Sequence, residues 1–220
     1  MLTRWLGWTI WLALFAAAMA PLQADAQTAQ AAAAKAPVVL VVGDSLSAEY
    51  GLQRGTGWVA LLQARLAKEN TSARIVNASI SGDTTSGGRS RLPALLRQHK
   101  PQIVVLELGA NDALRGLPLD MTEKNLLAMT QASQKAGARV LLIGMQLPPN
   151  YGSAYGARFS GIFPQVARAT RSALVPFFLK DVADIADAPR LFQADRLHPN
   201  EDAQSVMLAN VWPEFRKLIK

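Results

Sequence analysis

The chain has 220 residues, half of them hydrophobic and 18% charged, with a net charge of +7 and no cysteine. That is enough chain for one domain with a full core, and it excludes compositional disorder and any disulfide, thiolate metal site or cysteine nucleophile. The Lys and Arg residues are scattered, with no run longer than two and no nucleic-acid module, so nucleic acid is not an expected partner.

Residues 1–26 have the pattern of a signal peptide. Arg4 precedes an apolar stretch from Trp5 to Ala20, and Ala24-Asp25-Ala26 offers small residues at −3 and −1 of a cleavage site after Ala26. The apolar stretch is shorter than the roughly 20 residues of a membrane span. Export to the periplasm or beyond is the expectation. Residues 27–36 are Ala/Gln-rich and form an N-terminal tail. From Pro37 onward strand and helix patterns alternate. Residues 37–43 are a continuous apolar run, suited to a strand buried on both faces. Trp58, Val59, Leu61, Leu62 and Leu66 have helical spacing. Residues 74–78 predict a second strand, and Leu92, Leu95 and Leu96 mark a helix ending near His99. Residues 103–108 predict a third strand, 121–136 a helix, and 140–145 a fourth strand. A long loop is expected over 146–158, then a helix over 159–172 with Pro164 near its first turn. A short strand over 174–178 and a closing helix over 202–218, containing Pro213, complete the chain.

This alternation predicts an α/β domain over 37–220, a three-layer α/β/α sandwich around a five-stranded, mostly parallel sheet. Right-handed crossovers bring every strand-to-helix loop to one sheet edge. Four polar segments are expected there: Gly43-Asp44-Ser45, the stretch from Asn77 to Thr84, Glu107-Leu108-Gly109-Ala110-Asn111-Asp112, and Asp195-Arg196-Leu197-His198-Pro199-Asn200.

A serine hydroxyl is a weak nucleophile until a base takes its proton. The chain has two histidines. His99 precedes the third strand, at the opposite edge, and suits a helix C-terminus. His198 is the remaining base for Ser45, and Asp195, three residues earlier, can fix its tautomer. The oxyanion needs fixed donors. The Ser45 N–H, the Gly82 N–H and the Asn111 side-chain amide are the candidates. Gly82 is equally readable as a turn glycine, and Asn111-Asp112 as a helix cap or Asx turn. Leu114, Leu117, Pro148, Tyr151 and Tyr155 are candidates for an acyl-chain groove, or are surface residues packed within their own loops. Arg196 either biases substrates at the mouth or faces solvent.

These blocks, Gly43-Asp44-Ser45-Leu46-Ser47, Gly82, Gly109-Ala110-Asn111-Asp112 and Asp195-Arg196-Leu197-His198-Pro199, resemble the SGNH (GDSL-type) hydrolase family in type and order. The stretches Asn77 to Thr84, Arg91 to Leu96, Asn111 to Gly116 and Leu147 to Gly152 are similar to its periplasmic multifunctional acyl hydrolases. The resemblance implies a flavodoxin-like fold. It implies a serine acyl hydrolase for aryl esters, acyl thioesters and lysophospholipids, with Ser45, Asp195 and His198 catalytic and Gly82 and Asn111 in the oxyanion hole. No metal or cofactor is implied. The expected partner is the acyl substrate, with at most peripheral membrane contact through lipids, and the expected state is a monomer.

The residues also admit three rival readings. Within the family, the substrate could be an O-acetylated carbohydrate or peptidoglycan. The segment from Gly82 to Ser90 has phosphate-loop-like glycine spacing, but Gly88 stands where the lysine should be. An exported binding protein could keep the fold without catalysis.

Overall fold

Val38–Gly43 forms the first strand, β1, and is fully buried from Val39 to Val42, as the unbroken apolar run requires. The computed structural model describes residues 36–220; the expected leader, its cleavage point and all of the tail except Ala36 lie outside the described residues. Within the unit Pro37–Lys220, β1 is followed by α1 (Trp58–Lys68), β2 (Arg74–Asn77), α2 (Thr85–His99), β3 (Ile103–Glu107) and α3 (Ala110–Leu114). Next come α4 (Leu119–Lys135), β4 (Arg139–Ile143), α5 (Ser153–Thr170), β5 (Ala173–Val175) and α6 (Glu201–Ile219).

All strand pairs are parallel and the order is β2-β1-β3-β4-β5. The chain steps one way from β1 to β2 and the other way from β2 onward. Right-handed crossovers therefore set α1 on one face and α2, α4 and α5 on the other. α6 packs on α1, where the Arg65 guanidinium lies 3.9 Å over the Trp212 ring. The order reverses between β1 and β3, and the crevice beyond the carboxyl ends of these two strands is where open α/β sheets place ligands.

The five strands and the three-layer arrangement match the sequence expectation, and three local features differ from it. The segment 146–158 is not one long loop. Pro149–Tyr151 makes a 3-10 turn, and α5 begins at Ser153. The reason is that Tyr155 extends the stripe of Phe159, Ile162, Phe163 and Val166 one turn back. The apolar face thus continues through Gly156. Pro164 is consequently deep inside α5 rather than in its first turn. The helix before β3 likewise starts at Thr85, well before Leu92, because the Thr84 side chain accepts from the Gly87 N–H and caps it. Finally, Asn111 lies in a short helix, α3, that no apolar period announced. Gly109, at φ +121°, makes the bend into it.

Candidate active site

The first polar segment is built around a buried carboxyl. Glu107 ends β3 beside Gly43, and its Oε2 accepts from the Ser47 hydroxyl at 2.7 Å and the Asp44 N–H at 3.3 Å. Trp58 Nε1 donates to the same Ser47 hydroxyl oxygen at 3.2 Å. A Cβ at position 43 would fall 2.7 Å from both Glu107 Oε2 and Ser47 Oγ, so the glycine is set by this close approach. Asp44 turns inward. Its Oδ1 accepts from the Leu46 N–H at 3.1 Å, and its Oδ2 from Asn111 Nδ2 at 3.0 Å. Burial pushes the Asp44 carboxyl up to about 6. Burial, and then the neighbouring Asp44 charge, hold Glu107 well above the usual carboxylate range. Between these inward groups the chain turns Ser45 out to a half-buried position at the sheet edge.

The last segment meets it there. A backbone bond from Gln193 N–H to the His198 carbonyl (2.8 Å) and the antiparallel Phe192–Pro199 bridge close a tight loop. Arg196, in the left-handed region at φ +56°, lets this loop turn back on itself. The loop places His198 Nε2 2.9 Å from Ser45 Oγ and His198 Nδ1 2.7 Å from Asp195 Oδ2. Since a carboxylate only accepts, Nδ1 carries the hydrogen and Nε2 is left free to accept from the serine. Asp195 Oδ1 takes the N–H groups of Leu197 (2.9 Å) and His198 (3.0 Å). These bonds, the His198 N–H foremost, hold the Asp195 carboxyl down at about 2. Tyr50 covers the imidazole, with ring centroids 4.4 Å apart. Gln193 Nε2 donates to the Tyr50 carbonyl at 2.8 Å, joining the serine and histidine loops.

Gly82 and Asn111 come to the same edge. Gly82 sits at φ +76°, and its carbonyl accepts from Arg115 Nη2 at 2.8 Å. Asn111 Nδ2 lies 3.0 Å from the Asp83 carbonyl as well as 3.0 Å from Asp44 Oδ2. The amide nitrogen is thus held between the residue before Ser45 and the residue after Gly82. Among the described residues, the N–H groups of Ser45 and Gly82 have no acceptor in the protein. The geometry therefore provides a hydroxyl on an imidazole, the imidazole on a carboxylate, and two uncommitted N–H donors beside an amide.

The other candidates separate. Tyr155 donates its hydroxyl to the Ala113 carbonyl at 3.1 Å, tying α5 to the segment that carries Asn111. Leu114 and Leu117 are half-buried next to it. Pro148 and Tyr151 lie exposed on and beside the 3-10 turn, with no hydrogen bond or ring contact linking Tyr151 to Ser45 or His198. His99 ends α2 at the opposite edge, as its place before β3 implies. Asp112, next to Asn111, is a latch rather than a cap of its own helix. Its buried carboxylate takes the Thr85 N–H at 2.8 Å, and also the Thr85 hydroxyl. The N-terminus of α2, where a phosphate would have to sit, is thereby already occupied by the Asp112 side chain. Sequence reasoning named Glu107, Ser47 and Trp58 but gave them no role in the site, and it missed Tyr50. The one signal for Glu107 is an acid closing an otherwise wholly apolar strand.

The GDSL-like lipase/acylhydrolase family matches residues 41–206. Esterase TesA of Pseudomonas aeruginosa is 52% identical over 186 residues, covering 84% of this chain and 91% of that protein. The thioesterase 1/protease 1/lysophospholipase L1 of Escherichia coli K12 is 45% identical over 172 residues, 78% of this chain and 80% of that one. A crystal structure of TesA superposes with a TM-score of 0.79 at 52% identity, covering 82% of this chain and 99% of that chain. The sheet order, the four edge segments and these likenesses agree: the chain belongs to the GDSL-like lipase/acylhydrolase family and is a serine ester hydrolase.

Proposed function

We propose that Ser45 is the nucleophile, His198 the general base and acid, and Asp195 the group that orients His198. The observation that carries this is the unbroken chain from Asp195 Oδ2 through His198 to Ser45 Oγ, with links of 2.7 and 2.9 Å. Ser45 Oγ attacks the acyl carbonyl while its proton passes to His198 Nε2. The negative oxygen of the tetrahedral intermediate is held by the Ser45 and Gly82 N–H groups and by the Asn111 amide. The intermediate collapses, the acyl–oxygen or acyl–sulfur bond breaks, and the leaving alcohol or thiol takes the proton from His198. Water then attacks the acyl-Ser45 ester, again giving its proton to His198, and the acid leaves as Ser45 regains its hydrogen.

For substrates we propose aryl esters, acyl thioesters and lysophospholipids. The support is the names of the relatives, an arylesterase of Vibrio mimicus among them, together with the half-buried Leu114 and Leu117 beside Asn111. The net charge of +7 favours substrates with anionic groups, such as phospholipid or coenzyme thioesters. The enzyme acts as an exported monomer that meets membranes only through its lipid substrates; the support for export is the residue pattern of 1–26. A fluorophosphonate probe tests the site. It should label Ser45, and labelling should vanish in Ser45→Ala. Labelling elsewhere, or none in an active preparation, would overturn the assignment. Rates on the three substrate classes with purified protein then rank the substrates.

A further inference from the structure

Asn111 raises a problem of orientation. A side-chain amide has a donor end and an acceptor end of nearly the same shape. Only the donor end helps an oxyanion, and a flipped amide would repel it. Two acceptors select the donor end here, Asp44 Oδ2 and the Asp83 carbonyl, each 3.0 Å from Nδ2. They are unequal. A bond to a charged carboxylate is roughly twice as strong as one to a neutral carbonyl. When an oxyanion forms beside Nδ2, the Asp83 bond is the one that yields, and the Asp44 bond keeps the amide aimed.

Asp44 is itself held. Leu46 N–H fixes its Oδ1, and its backbone N–H is tied to Glu107, which Ser47 and Trp58 brace in turn. The residue is about 1% exposed, so no solvent competes for the Oδ2 lone pairs. We propose that Asp44 is a positioning residue that sets the donor face of the Asn111 amide toward the oxyanion, with Glu107 fixing Asp44 from beneath. This rests on the proposed role of Ser45 and goes beyond it, because it gives the aspartate beside the nucleophile a separate task.

Asp44→Asn is the sharp variant, since it keeps the shape. Leu46 N–H still requires an acceptor, so the new oxygen stays on that side and the new NH₂ faces the Asn111 NH₂. Two donors then confront each other, and Asn111 must turn its carbonyl inward. The expected result is a kcat loss of about 10²–10³, the scale of one lost oxyanion donor, with KM little changed. Because both substitutions remove the same donor, Asp44→Asn added to Asn111→Ala should cost no more than Asn111→Ala alone. Activity of Asp44→Asn within a few-fold of the parent, or losses that multiply in the double variant, would overturn the proposal. Ser45→Ala is measured alongside: if it keeps activity, the site reading fails; if it is inactive while Asp44→Asn is not, only the positioning role fails.

A second measurement needs no change at Asp44. In ¹³C,¹⁵N-labelled His198→Ala, the Asn111 side-chain amide signal, assigned by its loss on Asn111→Ala, should move as Asp44 titrates. Glu107 on β3 and Asp83, paired with Arg91 on α2, are the other ionisable groups facing Asp44. A signal that stays fixed while the Asp44 carboxyl carbon, followed by ¹³C in the same sample, titrates would overturn the proposal even if Asp44→Asn failed to fold.

Discussion

Asp195 holds His198 with both oxygens, one on the ring Nδ1 at 2.7 Å and the other on its own backbone N–H at 3.0 Å. The grip fixes the imidazole in position and tautomer from a carboxylate only three residues away. Asp195→Asn should keep the backbone bonds through the remaining oxygen but present an NH₂ to Nδ1, forcing the hydrogen onto Nε2. Ser45 then loses its acceptor. A fall in kcat of about 10⁴ is expected on any good substrate, as for a wrong tautomer in a serine triad, with a lower melting temperature but an intact fold, since the charge that the Leu197 and His198 N–H groups favour is gone. Steady-state kinetics and a melting curve check this.

The same carboxyl makes a statement about pH. Held at about 2, Asp195 remains ionised wherever the protein is assayed. Its protonation therefore cannot be the source of an acid limb near neutrality. Asp44, pushed up to about 6, is placed to contribute one as it loses its charge and its hold on Asn111. The kcat profile of the parent should fall as pH drops through about 6, over and above the protonation of the base. A profile with a single-proton slope down to pH 4 would exclude the Asp44 contribution.

Ser45→Ala should lower kcat by about 10³–10⁶ while leaving the fold intact, because among the described residues the hydroxyl bonds only to His198. Asn111→Ala should lower it by about 10²–10³. Separate kcat and KM values distinguish this from a binding role, which would raise KM alone.

The residues proposed for the chemistry were legible because chemistry restricts type and spacing. Ser45 closes an apolar run, and of the two histidines only His198 could reach it. What stayed hidden was the packing beneath. Glu107 reads as the polar end of a strand until the register of β3 against β1 sets it opposite Gly43. Whether Asn111-Asp112 is a cap or a donor could not be decided locally, because the answer lies across the chain. Asp112 serves Thr85, and Asn111 faces Asp44 and Asp83. The start of α5 was missed for a different reason. Two glycines and a proline in 153–164 depress helix propensity, and the tertiary burial of Phe159, Ile162 and Phe163 overrides it.

Gly43→Ala tests the packing beneath the serine. The added methyl would fall 2.7 Å from Glu107 Oε2 and Ser47 Oγ, neither of which can withdraw without giving up a buried hydrogen bond. A destabilisation of about 1–3 kcal/mol by urea unfolding is expected, as for overpacking in a core. Activity should fall as well, since the displaced turn carries Ser45. An alanine variant as stable as the parent would mean that the turn yields easily.

Stability should also carry the signature of the buried carboxyl pair, with a sign opposite to that of Asp195. An Asp44 that titrates near 6 when folded, against an ordinary value of 3.8, binds its proton more tightly in the folded state. Between about pH 4 and 6 the unfolded chain has released that proton while the folded chain retains it. Stability from this group therefore falls as pH rises through that window, by up to about 1.4 kcal/mol per pH unit. Glu107, raised further by burial and by Asp44, continues the fall above it. Asp195 acts the other way: its contribution is present above 3.8 and is lost only as pH drops toward 2. In Asp44→Asn the amide does not titrate, so the stability difference between variant and parent should shift in favour of the variant as pH is raised from 4 to 6.5. Urea unfolding of both proteins at half-unit pH intervals measures that difference. A difference independent of pH would mean that Asp44 titrates alike in the folded and unfolded chains, and that burial does not govern its charge.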